Sequence, residues 1–299
     1  MSSAQEPNRI ILADNLEVLP GLEDGSFRLI YIDPPFNSGQ KQRRRTLETV
    51  AVEGADDRDG GGEGDRTGFG GRRYRSRLLS ELAFEDSFAD YLGFLAPRLE
   101  QAHRLLDAEG TLYLHLDYRE AHYAKLLLDE IFGRESFLNE IIWAYDFGGR
   151  SRSRWPAKHD TILVYVKDPK RYYFDSSEVD REPYMAPGLV GPEKAARGKL
   201  PTDVWWHTIV PTGGAEKTGY PAQKPEGVLR RIVTASTREG DRCLDFFAGS
   251  GTLGAVAGRL GRGFVLVDSS PDAVAVMVER LGIAPRGADG RLLQVASSP

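Results

Sequence analysis

The chain has a single cysteine, Cys243, in 299 residues, which excludes a disulfide within it. Cys243 lies in the run Cys243-Leu244-Asp245-Phe246-Phe247 and reads as a buried small hydrophobe, in keeping with a reducing compartment. Histidine is scarce, with five residues, and nothing has the spacing of a metal site, so no metal is expected. No apolar run approaches the roughly 18 residues that mark a membrane-spanning helix. Met1 to Asn8 lacks the basic-then-apolar pattern of a secretory signal, so a cytoplasmic protein is expected. Internal repeats are absent as well, which argues against a solenoid. A net charge of −5 denies the chain the overall positive field of many nucleic-acid binders. The positive charge that exists is clustered instead. Lys41, Arg43, Arg44 and Arg45 form one group; Arg72, Arg73, Arg75 and Arg77 a second; Arg150, Arg152, Arg154 and Lys158 a third. Such clusters can neutralise phosphates locally, although each also reads as solvated loop charge.

Several short apolar runs are present. Residues 9–13, 27–32, 111–116, 161–166, 243–247 and 264–267 read as strands buried on both faces, hence a mostly parallel sheet under helices. Residues 141–145 and 161–166 follow one another without a helix, which predicts an antiparallel hairpin at the sheet edge. Helical spacing recurs at Tyr91, Leu92, Leu95, Leu99 and Ala102, over residues 120–132, after Pro225 and over residues 252–260. The fold class is therefore α/β, a doubly wound, mostly parallel seven-stranded sheet. The expected organisation is 1–36 and 81–170 as one half of the core and 215–299 as the other. Residues 37–80 lack apolar periodicity and read as a mobile basic loop, and residues 171–214 as an irregular insertion.

The segment Leu244-Asp245-Phe246-Phe247-Ala248-Gly249-Ser250-Gly251-Thr252-Leu253-Gly254 reads as strand, glycine turn and helix. Glycines let a ligand approach the backbone, and the helix N-terminus offers free N–H groups. Gly249, Gly251 and Gly254 also satisfy the dinucleotide fingerprint, with Asp268 about twenty residues on for a ribose. This motif alone leaves NAD and S-adenosylmethionine open, and with NAD an oxidoreductase.

The strand 27–32 runs into Asp33-Pro34-Pro35-Phe36. Pro34 and Pro35 fix the backbone and bring no N–H of their own, so the turn is rigid and presents acceptors. The Asp33 carboxylate and the Pro34 carbonyl can accept the two N–H bonds of an exocyclic amine, and Phe36 can stack on its base. A dehydrogenase leaves this element unexplained. His115 and Asp117, two apart on one strand face, read as core or rim rather than as catalytic or metal-binding.

With Asp33-Pro34-Pro35-Phe36 early and Phe246-Phe247-Ala248-Gly249-Ser250-Gly251-Thr252 late, the chain resembles the β-group of DNA amino-methyltransferases. Asp14, in Leu12-Ala13-Asp14-Asn15-Leu16, resembles the family's acid near the cofactor adenine. Pro221-Ala222-Gln223-Lys224-Pro225 resembles a His-Pro-Thr-Gln-Lys-Pro element at the cofactor's methionine end, with Tyr220 and Ala222 replacing the usual His and Thr. His159-Asp160-Thr161-Ile162-Leu163-Val164-Tyr165 resembles the family's late strand.

The resemblance implies a permuted Rossmann-like methyltransferase fold with S-adenosyl-L-methionine as cofactor. It implies catalytic roles for Asp33, Pro34, Pro35 and Phe36. It places Asp14, Gln223, Lys224, Pro225, Asp245 and Phe246 around the cofactor, with Ala248, Gly249, Ser250, Gly251, Thr252 and Asp268. DNA contacts are expected from Arg43, Arg44, Arg45 and Arg73 and from Arg150, Arg152, Arg154 and Lys158. Residues 171–214 are expected to recognise the target. The implied partner is double-stranded DNA, hence nucleoid association, with a cognate restriction endonuclease and a homodimer as further candidates. Asp33, where cytosine enzymes tend to carry Ser, favours N6 of adenine over N4 of cytosine, in a base flipped out of the duplex.

Overall fold

The computed structural model describes residues 8–37, 90–148 and 150–293, and the backbone of three strands between residues 42 and 84. In chain order the elements are β1 (Arg9–Leu12), α1 (Asn15–Val18), β2 (Phe27–Ile32), β3 (Gln42–Ala51), β4 (Asp65–Thr67), β5 (Arg73–Phe84), α2 (Tyr91–Leu105) and β6 (Leu106–Leu116). There follow α3 (Ala121–Phe132), β7 (Phe137–Ala144), β8 (His159–Val166), α4 (Pro192–Arg197), β9 (Val204–Trp206), α5 (Glu226–Ser236), β10 (Arg242–Asp245), α6 (Thr252–Arg259), β11 (Gly263–Asp268) and α7 (Pro271–Leu281).

The main sheet has eight strands in the order β1-β11-β10-β2-β6-β8-β7-β9. Strands β1, β11, β10, β2 and β6 are parallel, and β8 pairs antiparallel with both β6 and β7. The doubly wound class read from the sequence is therefore present. An eighth strand, β9, is added parallel to β7, so the hairpin β7–β8 is not the edge. Burial explains the strand compositions. His159–Val166 is apolar for five consecutive residues and buried along nearly its whole length, because it lies between two neighbours and under α3. Each fully buried Leu or Ile in this core contributes about 1.5–3 kcal/mol.

From β10 the chain passes through α6 to β11 on one side; from β2 it leads to β6 on the other. The switch point is thus between β10 and β2, and ligands of such sheets bind there, outside the carboxyl ends. The two motifs found in the sequence follow these two strands. Strand β7 is parallel to β6, so residues 145–158 leave the sheet on this same edge, as does the chain after β9.

Three local differences from the sequence reading have physical causes. Strand β6 begins at Leu106, not Thr111, because Phe27 pairs with Leu106 before a register shift. Gly110 lies beside that shift, where a Cβ would come within 3.1 Å of the Phe27 carbonyl. Residues 171–214 contain α4 and β9, and Trp205 is buried while Trp206 is 74% exposed, as adjacent residues of a strand must diverge.

The third difference concerns the expected basic loop. The backbone falls into two units, Met1–Phe36 with Ala89–Pro299, and Asn37–Phe88. In the smaller unit β3, β5 and β4 form an antiparallel sheet, with Arg43 opposite Ala83 and Arg45 opposite Glu81. Apolar periodicity is a poor guide there, because an antiparallel ladder pairs backbone groups whatever the side chains. The side chains of residues 38–89, including Arg43, Arg44, Arg45 and Arg73, lie outside the described residues.

Candidate active site

The glycine turn is built by backbone that other residues resist. Gly249 has φ 49° and Gly251, which caps α6, has φ 70°. A Cβ on Gly251 would sit 2.8 Å from Met277 Cγ, and one on Gly254 2.6 Å from Leu266 Cδ1, so α6 presses directly on β11. Asp268, ending β11, accepts from Gly249 N (2.8 Å) through Oδ2 and from Ser270 N (2.8 Å) through Oδ1. Asp245, ending β10, accepts from Phe247 N (2.9 Å). Each carboxylate oxygen keeps further acceptor capacity.

The Gln223-Lys224-Pro225 element is fastened to this turn. Thr252 Oγ1 donates to the Lys224 carbonyl (3.2 Å), and Arg280 donates to the Ser250 carbonyl (3.1 Å) and to Glu226 (2.6 Å). Gln223 accepts from Thr218 N and Oγ1 (both 2.9 Å) and donates to the Glu216 carbonyl (2.7 Å). Tyr220, where the resemblance expects His, packs over Gly249, 3.2 Å from where its Cβ would be. Ala222 adopts φ 56°, a region that costs a non-glycine residue about 1–2 kcal/mol.

Beside the turn, Asp33 follows β2 and forms an ion pair with the buried Lys224 through Oδ2. Its Oδ1 is buried and has no hydrogen-bond partner among the described residues. Lys224 Nζ also stands 5.0 Å from the centre of the Phe36 ring. The Pro35 carbonyl accepts from the Tyr91 hydroxyl (2.7 Å), which pins the turn to α2. Asp14 caps α1 by accepting from Leu16 N (2.8 Å), and its half-exposed carboxylate lies 3.5 Å from Arg98.

Three carboxylates therefore crowd one crevice. Burial, with the charges of Asp33 and Asp268, pushes the Asp245 carboxyl well above the usual range, and the bond from Phe247 N together with the Lys224 charge only partly offsets this. Burial raises Asp268 as well. Such a site is deficient in positive charge.

Some site residues carry no motif. Asn15 donates to the Phe246 carbonyl (2.9 Å) and accepts from Arg98 Nε (2.7 Å), which ties β1, the glycine turn and α2 together. The available signal is Arg98 itself, a charge on the apolar face of Leu95, Leu99 and Ala102. His115 is fully buried, as the core reading expects, but it is well connected. Its Nδ1 is 2.8 Å from the Tyr31 hydroxyl, and its Nε2 is 3.2 Å from Asp160 Oδ2. Burial opposes the charge on Asp160, but the hydrogen bond and charge of His115, the Lys224 charge and the Tyr145 hydroxyl outweigh it and hold this carboxyl below its usual range. The His115 ring stacks on Phe36 at 6.1 Å, so this chain forms the back wall of the Asp-Pro-Pro-Phe turn. Asp117 is held by Arg119 at the rim.

Of the DNA-facing candidates, Arg150, Arg152 and Arg154 are exposed on the loop after β7, and Lys158 donates to the Gly148 carbonyl (3.2 Å).

Fold and crevice together define an α/β methyltransferase of the permuted type, in which the catalytic turn precedes the cofactor turn. The chain belongs to the DNA methylase family of N6-adenine and N4-cytosine enzymes, whose model matches residues 27–279. It is 29% identical over 284 residues to the Type II methyltransferase M.HpaI of Haemophilus parainfluenzae, covering 94% of this chain and 76% of that one. It is 29% identical over 287 residues to the DNA adenine methyltransferase YhdJ of Escherichia coli (strain K12), covering 93% and 84%. Among solved structures, the cytosine-N4-specific PvuII DNA methyltransferase superposes with a TM-score of 0.61 at 14% identity, covering 93% and 90%. The last likeness is one of fold.

The family match sets aside the dehydrogenase reading of the glycine turn. The substrate is DNA and the cofactor S-adenosyl-L-methionine. The residues present fit it. The two positive-φ glycines open a cradle, and the carboxylates of Asp245 and Asp268 beside it suit a ligand with a sulfonium and an ammonium group. Among the described residues no helix is long and apolar enough to cross a membrane.

Proposed function

We propose that this protein methylates N6 of adenine at one short sequence of double-stranded DNA, with the base flipped out of the duplex. The observation that carries the reading is Asp33, partly buried at the switch point, with Oδ2 on Lys224 and a buried Oδ1 that has no hydrogen-bond partner among the described residues. An exocyclic amine is a weak nucleophile because its lone pair is shared with the ring. Acceptance of its two N–H bonds by Asp33 Oδ1 and the Pro34 carbonyl concentrates that lone pair on nitrogen, and Phe36 holds the ring from one face. When bound, the cofactor supplies an electrophilic methyl group. Asp33 is placed to hold the proton that nitrogen sheds, with the Lys224 ammonium balancing its charge. Positioning and electrostatics supply most of the acceleration.

In this reading Gly249, Ser250, Gly251 and Thr252 line the cofactor's cradle, beside Asp245, Phe246 and Ala248. Asp268 takes the ribose hydroxyls, Asp14 the region of the adenine, and Gln223, Lys224 and Pro225 the methionine end. An aspartate rather than a serine before Pro-Pro, and the naming of YhdJ as an adenine enzyme, support adenine over cytosine. Residues 171–214 would read the sequence, supported by exposed Tyr172 and Phe174 on a segment that Arg230 and Arg231 anchor through Asp180 and Glu182. The Type II naming of M.HpaI supports a partner restriction endonuclease.

Methylation-sensitive sequencing of DNA from cells that express the protein tests the reading. Methylated adenine within one motif is expected. N4-methylcytosine would move the enzyme to the cytosine branch, and unmodified DNA would overturn the proposal.

A further inference from the structure

The loop between β7 and β8 is closed at its base by Tyr145 N donating to the Lys158 carbonyl (2.9 Å). Within it, the Ser151 hydroxyl accepts from Ser153 N (3.3 Å) and Arg154 N (3.2 Å), and Pro156 fixes the backbone after Trp155. The loop is thus shaped by its own residues. At its end Trp155 is 94% exposed, with Phe147 at 67%. Leaving two large aromatic surfaces in water forfeits the burial that usually holds such side chains, so they read as a contact site. The guanidinium groups of Arg150, Arg152 and Arg154 have no carboxylate partner among the described residues. Phe147 and Trp155 thus flank three arginines along one short stretch.

The position of the loop is as specific as its composition. It leaves the sheet at the carboxyl edge, on the same side as Asp33. A run of ring contacts joins the two places: Phe36 to His115 at 6.1 Å, His115 to Trp143 at 5.4 Å, and Trp143 to Tyr145, at the loop's base, at 5.1 Å.

We propose that Trp155 is the wedge of this enzyme: its indole enters the duplex at the target step and fills the gap left by the extruded base, while Arg150, Arg152 and Arg154 hold the flanking phosphates. The inference rests on the proposed action on a flipped base. A polyanion with a stack of flat rings matches this surface in both charge and shape, and apolar or aromatic wedges are a known means of holding an unstacked step open. The side chain touches no reacting atom. Its effect is on how often the base is available.

The test compares wild type, Trp155→Ala and Trp155→Phe on two duplexes, one with the target adenine normally paired and one with it opposite an abasic site. An unpaired base costs less to extrude. On the paired duplex Trp155→Ala should lose at least about tenfold in kcat/KM, the scale of a step whose unstacking is no longer compensated, while Trp155→Phe keeps most of the activity. On the abasic duplex the alanine variant should approach wild type. A 2-aminopurine at the target should brighten with wild type and far less with Trp155→Ala. Equal activity of wild type and Trp155→Ala on the paired duplex would overturn the proposal, as would an equal loss on both duplexes. So would a wild-type dimer that Trp155→Ala converts to monomer, since the indole would then serve a second copy. Absence of wild-type activity on both duplexes would instead strike the proposed function, and the wedge with it.

Discussion

At the carboxyl ends of β10, β11 and β1 the polar side chains are engaged within the chain: Asp268 with Gly249 and Ser270, Asp245 with Phe247, Asn15 with Phe246 and Arg98. At the carboxyl ends of β7 and β9, three arginines have no carboxylate partner among the described residues, and Trp155 and Trp206 face water. Both surfaces stand on the same edge of one sheet. The first is fixed before its ligand arrives, which suits a small cofactor whose binding energy cannot also order a loop. The second is left for a large polyanion to complete. Asp33 stands between them, with Oδ2 engaged and Oδ1 without a hydrogen-bond partner among the described residues.

The sharpest way to break this division is at its middle. Asp33→Ala should lower the rate of methyl transfer by at least about 10²-fold, by analogy with removal of one oriented donor from an oxyanion hole, while calorimetry finds cofactor binding largely intact. Near-normal turnover would move the active site elsewhere. On the pre-formed side, Asp268→Ala should weaken S-adenosylmethionine by about 1.5–3 kcal/mol, roughly 10- to 150-fold in Kd. An unchanged Kd would remove Asp268 from the cofactor site.

Asp245 separates fit from stability. Its carboxyl is raised by burial and by its acidic neighbours, so the folded chain holds this proton more tightly than the unfolded chain. Its stabilising contribution is complete below the unfolded value of about 3.9 and is lost as pH rises through the raised folded value. Asp245→Asn keeps an acceptor for Phe247 N and carries no charge. In the cofactor-free enzyme it should raise the thermal midpoint at neutral pH, and the gain should fade as pH falls. A lower midpoint at neutral pH would show that the charge is well accommodated without a ligand.

On the open side the effects are smaller and depend on salt. Arg150→Ala, Arg152→Ala and Arg154→Ala should each weaken DNA binding for all sequences alike, and each should reduce the slope of log K against log salt by about 0.9. The same measurement on Arg43, Arg44, Arg45 and Arg73 decides whether the smaller unit also meets phosphates. Slopes unchanged by all three loop variants would make the loop a solvated surface. Exchange of residues 171–214 with a relative's should change the methylated sequence, and the same motif after the exchange would remove that segment from base reading.

Strand ends with turn chemistry were legible in the sequence, because glycine at positive φ and a double proline constrain the backbone wherever they occur. Gly249, Gly251 and Asp33-Pro34-Pro35-Phe36 therefore located the crevice, and Pro225 located the start of α5. What tertiary pairing decides was not legible. Strand β6 starts at Leu106 because Phe27 lies beside it, β9 exists because Ile142 to Ala144 offer a free edge, and β3 to β5 are held by a ladder blind to side-chain pattern. The polar partners were hidden for the same reason: Asn15 and Phe246 are 231 residues apart in sequence, and Tyr31 and His115 are 84 apart. Trp205 and Trp206 show the limit most simply, since adjacent and identical residues take opposite environments once the strand has a register.

Whether the amine held at Asp33 belongs to adenine is decided by the methylated product. Purified protein, S-adenosylmethionine and duplex DNA containing all four bases, followed by digestion and mass analysis of the nucleosides, test it most directly. N6-methyldeoxyadenosine is the expected product, lost when Asp33 is replaced by Ala. N4-methyldeoxycytidine, or N6-methyldeoxyadenosine that persists in Asp33→Ala, would contradict it.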